Sequence, residues 1–78
     1  MAKVIVYSTP ACPACKQVKR LLRDNNIQYE DVDISHDEER VQEMVEKSKR
    51  LCVPVTDIDG TIIVGFDKHK IKMALGLE

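Results

Sequence analysis

The hydrophobic pattern of the first third of the chain changes period near residue 10. A β-branched and aromatic run at 3–8 predicts a strand that ends at Ser8. From Pro13 onward, apolar residues recur every three or four positions, which predicts an amphipathic helix that ends at 24–26. The apolar stripe of this helix consists of Cys15, Val18, Leu21 and Leu22. The chain therefore begins as strand, loop and helix.

The middle of the chain repeats this order. An apolar run of imperfect alternation predicts a second strand, with Ile27, Tyr29, Val32 and Ile34 as its apolar residues. Ser35 stops this strand, and Glu38 follows three residues later, which is the pattern of a capping box and predicts Ser35 as the N-cap of a second helix. Acidic residues at 37–39 and basic residues at 47–50 favour this helix through its dipole.

The last third predicts a hairpin and a short helix. Two β-branched segments, 55–58 and 61–64, flank an Asp-Gly pair, which is a strong signal for a two-residue turn. Asp67 then suits the N-cap of a final helix with Ile71, Ala74 and Leu75 as apolar positions. The predicted order is βαβαββα. An α/β fold follows, a four-stranded mixed sheet flanked by helices on both faces, with its first two strands parallel.

Length and charge restrict the classes of protein that fit this pattern. With 78 residues, 44% of them hydrophobic and 32% charged, we expect one globular domain over 1–78 with a modest core. A net charge of -1 provides no general attraction to nucleic acid or to an anionic membrane, so we expect neither partner. The apolar run near the N-terminus is too short for a signal peptide or a membrane span, which favours the cytoplasm.

The cysteines carry the candidate chemistry. Three is an odd number, whereas small secreted disulfide scaffolds usually have four or six, so a redox or metal role is favoured. Pro13 suits the first helical position, which puts Cys12 at the helix N-terminus, where unpaired N–H groups and the dipole stabilise a thiolate. Cys15 follows one turn later on the apolar stripe. We therefore expect Cys12 to be the nucleophile and Cys15 the resolving thiol.

This pair predicts thiol-disulfide exchange. The Cys12 thiolate attacks a substrate disulfide, and Cys15 then releases the mixed disulfide as a bridge between the two cysteines. The alternative is a metal or iron–sulfur carrier that uses Cys12. A closed tetrahedral site needs four ligands, and the remaining candidates, Cys52, His36 and His69, are scattered along the chain without a second short-spaced pair. We assign no role to either histidine.

Three segments carry a resemblance to a known family: residues 7–15, the Val53-Pro54 pair and the Gly-Phe-Asp at 65–67. By these segments the sequence resembles the glutaredoxins, and the resemblance covers nearly the whole chain. The resemblance implies a thioredoxin-like fold and a monomeric electron carrier without a tightly bound cofactor. Its redox-active disulfide would join Cys12 and Cys15. The resemblance also implies that Pro54 is cis and that Val53 and Pro54 lie in a substrate groove.

The resemblance and the pattern together suggest a set of substrate-binding residues. These are Tyr7, Pro13, Val53, Pro54, Gly65, Phe66 and Asp67. The N–H groups of the last three would meet a carboxylate at the N-terminus of the final helix. Thr9 stands where glutathione-using members usually carry Lys, so one charged contact to glutathione is missing. Two electron donors are therefore candidates: glutathione as a co-substrate, or a thioredoxin-reductase-type flavoenzyme.

Three further features lie close to the motif. Cys52 replaces the Thr that the family usually carries two residues before Pro54, and we expect a small buried side chain, with a second disulfide or a metal ligand as the alternatives. Lys16, and to a lesser extent Lys19, is a candidate for adding positive charge near the thiolate, with an ordinary solvated lysine on the helix face as the commoner alternative. Basic residues at 3–23 oppose an acidic run at 30–39, and a basic rim around Cys12 would attract acidic protein partners.

Overall fold

The computed structural model describes residues 3–77 and confirms the predicted order of elements. The strands are β1 (Val4–Ser8), β2 (Glu30–Asp33), β3 (Val55–Ile58) and β4 (Thr61–Val64), and the helices are α1 (Pro13–Asp24), α2 (Glu38–Ser48) and α3 (Lys68–Leu75). None of the helices in this part of the chain has both the length and the apolar character that crossing a membrane would require.

The four strands form one mixed sheet in the order β2-β1-β3-β4. Strand β1 is parallel to β2 and antiparallel to β3, and β3 pairs with β4 through the predicted turn at Asp59 and Gly60. Both turn residues have positive φ, 50° and 91°, which is the backbone that a two-residue hairpin of this kind requires. The hairpin prediction is confirmed.

The alternation of side chains along β1 divides the core into two layers. Val4 and Val6 face α1 and α3, where Val18, Leu22 and Ile71 are buried against them. Ile5 and Tyr7 face the opposite side of the sheet, which α2 covers with Met44. Because β1 and β3 lie in the middle of the sheet and are buried on both faces, they provide a rigid base for the segment that follows Ser8.

Two boundaries differ from the sequence-based expectation. Asp37, not Ser35, is the N-cap of α2, and its side chain accepts a hydrogen bond from the Arg40 N–H at 3.1 Å. The Asp33 carboxylate engages both the N–H and the hydroxyl of Ser35, at 2.9 and 2.6 Å, which keeps Ser35 in a turn before the helix. Strand β2 is also shorter than predicted, because Ile27 and Tyr29 precede it and pack into the core instead.

The Asp67→Ala substitution is expected to destabilise the protein by about 1 kcal/mol. Asp67 is the N-cap of α3, as predicted, and its side chain accepts a hydrogen bond from the Lys70 N–H at 3.1 Å. Without it, that N–H has no acceptor within the helix. Urea unfolding followed by circular dichroism measures the loss. Asp24→Ala is the matched control, since Asp24 is exposed in the last turn of α1; an equal loss in both variants would contradict the capping role.

Candidate functional site

The candidate site lies where β1 leads into α1. After Ser8 the chain makes a tight turn in which the N–H of Cys12 donates to the carbonyl of Thr9 at 3.4 Å. Cys12 is the N-cap of α1 and Pro13 its first residue, as predicted. The N–H of Cys15 donates to Cys12 Sγ at 3.1 Å. The sulfur of Cys12 therefore takes the place of a capping oxygen and receives one of the unpaired N–H groups of the helix.

The two thiols have different surroundings. Cys12 is partly exposed, Cys15 is fully buried, and both are free thiols in this structure. Burial raises the pKa of the Cys15 thiol to about 11, and the hydrogen bond with Cys12 adds to the rise. A backbone hydrogen bond with Thr9 and the charge of Lys19 act in the opposite direction. The structure thus keeps Cys15 protonated next to an accessible sulfur.

The lysines after the motif differ in their contacts. Lys19 forms an ion pair with Asp31 on β2 at 2.9 Å, and its charge reaches the Cys15 thiol. Lys16 is exposed on α1. The effects of Lys16 and Lys19 on the Cys12 thiolate stay predictions.

The Val53-Pro54 peptide bond is cis, as the resemblance implied. Pro54 itself is fully buried, so the expectation that it contacts substrate is corrected for its side chain. Val53 is only partly buried. Among the hydrogen bonds between residues 3–77, none involves the backbone N–H or C=O of Val53. This backbone can therefore pair with an extended segment of substrate.

The predicted carboxylate-binding turn before α3 is only partly available. The N–H of Gly65 donates to the carbonyl of Pro54 at 2.8 Å, which corrects the prediction that this N–H is available to a carboxylate. The side chain of Asp67 is engaged as the N-cap of α3. Phe66 is 38% exposed, and Pro13 is exposed at the start of α1. The substrate-binding roles of Pro13, Phe66 and Asp67 stay predictions.

Tyr7 does not line the groove. Its side chain is fully buried on the α2 side of the sheet, which corrects the prediction that it binds substrate. Its hydroxyl donates to the Glu43 carboxylate and accepts from Lys47 Nζ at 2.8 Å. Lys47 Nζ also donates to Asp57 Oδ2 at 2.8 Å. The inward direction of Tyr7 follows from its odd position in β1, beside Ile5, and the polar partners on α2 satisfy its hydroxyl.

The contact between Lys47 and Asp57 changes the pKa of both side chains. Burial alone would lower the pKa of Lys47, but hydrogen bonds to Asp57 and Tyr7 outweigh it and raise the pKa to about 12. Burial would raise the pKa of Asp57, but the hydrogen bonds from Lys47 and from the Gly60 N–H hold it below its usual range. This cluster joins α2 to β1 and β3.

Lys47→Met is expected to lower the free energy of unfolding by about 2 kcal/mol near neutral pH, because Asp57 loses the cation that neutralises it in a buried position. The lowered pKa of Asp57 means that the pair contributes above the ordinary carboxyl pKa and that its contribution disappears as pH falls through the lower, folded value. The difference between wild type and variant should therefore shrink below about pH 4. Urea titrations at several pH values measure it, with exposed Lys49→Met as control; a difference independent of pH would contradict this account.

Cys52 is exposed, which corrects the expectation of a small buried side chain, and it is a free thiol. It follows Leu51, which is also exposed, on the segment between α2 and β3. His36 precedes α2 and His69 lies in the first turn of α3, both at exposed positions as expected. Within residues 3–77, no three His, Cys, Asp or Glu side chains lie close enough together to hold a metal ion.

Among known protein families, the glutaredoxin family model matches residues 4–63 of this chain. The chain belongs to the glutaredoxin family. It is 48% identical over 66 residues to a glutaredoxin-like 8.6 kDa protein in the rubredoxin operon of Clostridium pasteurianum, which covers 85% of this chain and 88% of that protein. It is also 33% identical over 67 residues to glutaredoxin 3 of Escherichia coli (strain K12). That match covers 86% of this chain and 81% of the relative.

Solved structures agree with this assignment. A crystal structure of a mutant of the thioredoxin-like protein BC3987 superimposes on this glutaredoxin with a TM-score of 0.90 and 33% identity, over 100% of both chains. The predicted thioredoxin-like fold is thus confirmed. Membership of the glutaredoxin family supports a thiol redox function. Cys12 and Cys15 are both free thiols, and the Cys15 N–H contacts Cys12 Sγ.

Proposed function

We propose that this glutaredoxin is a cytoplasmic dithiol oxidoreductase, a monomeric electron carrier that reduces protein or small-molecule disulfides through Cys12 and Cys15. The observation that carries the proposal is the 3.1 Å hydrogen bond from the Cys15 N–H to Cys12 Sγ, at the first turn of α1. The helix dipole and this N–H both favour negative charge on the sulfur. Both thiols come from one chain, so the reaction needs no second copy.

In the first step, the Cys12 thiolate attacks one sulfur of a substrate disulfide. A new bond forms between Cys12 Sγ and that sulfur, the substrate S–S bond breaks, and the second substrate sulfur leaves as a thiolate. The partial exposure of Cys12 gives the substrate access. The unpaired backbone of Val53 supports main-chain hydrogen bonds to the substrate segment on either side of its cysteine.

In the second step, Cys15 loses its proton and attacks Cys12 Sγ. The bridge between Cys12 and Cys15 forms, the mixed disulfide breaks, and the substrate leaves fully reduced with the two electrons of the dithiol. The raised pKa of Cys15 keeps it a thiol until Cys12 is engaged, so it does not compete for substrate. An external donor then returns two electrons and two protons to the bridge.

We favour a thioredoxin-reductase-type flavoenzyme as this donor over glutathione. Thr9 lacks the charge with which glutathione-using members meet a carboxylate, and the N–H of Gly65 is already bonded to Pro54. Two contacts that would hold glutathione are therefore missing. Each charge-assisted hydrogen bond of this kind is worth about 1.5–3 kcal/mol.

The experiment measures NADPH consumption during reduction of a dialkyl disulfide, with thioredoxin reductase as one electron supply and glutathione plus glutathione reductase as the other. Each supply has its own control without this protein. We expect turnover above control with the flavoenzyme and a much smaller increase with glutathione; the reverse result would assign glutathione as the donor.

A test independent of the donor uses the chemically reduced protein alone. One equivalent of the dialkyl disulfide should oxidise it, and peptide mapping under non-reducing conditions should find Cys12 joined to Cys15. The exposed Cys52 provides an internal comparison, since its thiol should remain free. A protein that stays reduced, or that forms only bridges through Cys52, would refute the dithiol mechanism.

A further inference from the structure

A shallow groove runs between α1 and the start of α3. Its volume is about 240 Å³, enough for one large side chain. The lining residues are Gln17, Arg20, Leu21, Asp24, Phe66 and Lys68. Leu21 and Phe66 provide apolar surface, and Phe66 is among the large hydrophobic side chains that stay exposed. Exposed apolar surface bordered by charged groups is typical of an interaction site.

The groove lies on a strongly basic face. Helices α1 and α3 together carry seven Lys or Arg residues and only one acidic residue, Asp24. The segment 30–46, which contains β2 and most of α2, carries eight acidic residues and one basic residue. The net charge of -1 is therefore the sum of a basic region, formed by α1 and α3, and an acidic region at 30–46. The groove lies in the basic region.

The positive charge at the groove is only weakly neutralised among residues 3–77. Lys68 takes part in none of the ion pairs formed among residues 3–77. Arg20 contacts Asp24 at 3.8 Å, but both side chains are highly exposed, so the attraction is weak and easily replaced. Two exposed cations, Arg20 and Lys68, thus line the groove beside one acidic residue, Asp24, and both are accessible to a ligand.

We propose that the α1–α3 groove binds an acidic segment of the disulfide substrate. One apolar side chain of that segment covers Leu21 and Phe66, and carboxylates on either side meet Arg20 and Lys68. The inference rests on the proposed function, since the segment must belong to the protein whose disulfide Cys12 attacks. It adds a specificity site on α1 and at the start of α3 to the predicted substrate groove at Val53.

The position of the groove sets the spacing of this segment. Gln17 and Asp24 lie five and twelve residues after Cys12, which corresponds to about 8–18 Å along the axis of α1. An extended chain covers about 3.3 Å per residue. The acidic and apolar residues of the substrate should therefore lie about three to five residues from its reactive cysteine.

The experiment uses two peptides whose single cysteine is joined by a disulfide to a chromogenic aromatic thiol. In the acidic peptide, an aromatic residue between two glutamates begins three residues from the cysteine; in the neutral peptide, glutamines replace the glutamates. Release of the aromatic thiol by the chemically reduced protein gives the rate constant of the first step. At low ionic strength, we expect the acidic peptide to react about tenfold faster, and about twofold faster at about 0.5 M salt.

Charge variants locate the effect. Arg20→Gln with Lys68→Gln should reduce the preference for the acidic peptide to about twofold, because both cations of the groove are lost. Lys49→Gln with Arg50→Gln removes the same charge from an exposed segment after α2 and should keep at least half of the preference. A third peptide with alanine in place of the aromatic residue should react about threefold slower than the acidic one.

Equal rates for the acidic and neutral peptides would overturn the inference, as would equal losses in the two double variants. An unchanged rate for the alanine peptide would overturn the assignment of Leu21 and Phe66 as the apolar floor. If neither peptide reacts faster with the wild type than with Cys12→Ser, the proposed function fails instead. The neutral peptide therefore separates failure of the chemistry from failure of the groove.

Discussion

Cys12→Ser is expected to reduce the rate of disulfide reduction by about a thousandfold or more. The structure makes Cys12 the accessible sulfur at the N-terminus of α1, with the Cys15 N–H pointing at it. A serine hydroxyl can accept the same hydrogen bond but does not ionise near neutral pH, so the fold survives and the nucleophile is lost. The measurement is the single-turnover rate of the reduced protein with a chromogenic disulfide.

Cys52→Ser is the matched control for this prediction. It makes the same atomic change at the exposed cysteine, and its rate should stay within about twofold of the wild type, because the remaining pair at 12 and 15 is intact. Residual activity above one-tenth of the wild-type rate in Cys12→Ser would transfer the nucleophilic role to another thiol. Loss of activity in Cys52→Ser alone would identify that thiol.

Cys15→Ser is expected to stop the reaction after its first step. Cys12 still attacks the substrate, but no buried thiol is present to release it, so the covalent adduct accumulates toward one equivalent per protein. Intact-protein mass spectrometry under non-reducing conditions measures the adduct with a protein disulfide as substrate. No glutathione or other small thiol is added, since it would release the adduct from outside.

The pH dependence of release tests the role of Cys15. Because burial raises the pKa of Cys15 to about 11, the fraction of Cys15 thiolate, and with it the rate of release in the wild type, should rise between about pH 7 and about pH 9. Unchanged multiple turnover in Cys15→Ser, or a release rate that is independent of pH, would contradict the resolving role.

The local sequence was sufficient for most of the fold, because each element is specified by residues close together in the chain. The 3.6-residue stripe, with Pro13 at its start, predicted α1, and the Asp-Gly turn predicted the hairpin of β3 and β4. The boundary that failed was the start of α2. Ser35 and Asp37 are both good capping residues, and the choice between them depended on the carboxylate of Asp33, which engages Ser35 first.

For the site, the sequence predicted the two thiols of the motif correctly but misplaced some of the residues around them. The order of the thiols, with Cys12 accessible and Cys15 on the apolar stripe, follows from helix geometry and is confirmed. Tyr7 was misplaced, because a position at the end of a strand does not tell which face of the sheet the next helix covers. Cys52 was misplaced because burial of a loop residue depends on the packing of distant elements rather than on its own apolar character.

The sequence by itself determined where the candidate chemistry lies, since a helix that starts at Pro13 puts Cys12 at its N-terminus and Cys15 one turn later on its apolar stripe. Only the tertiary structure decided what surrounds that chemistry. Packing α1 and α3 on one face of the sheet brings Arg20, Leu21, Phe66 and Lys68 together, although more than forty residues separate the two pairs along the chain. Contacts of such sequence separation depend on how whole elements cover a shared core, and no local pattern of residues contains that information.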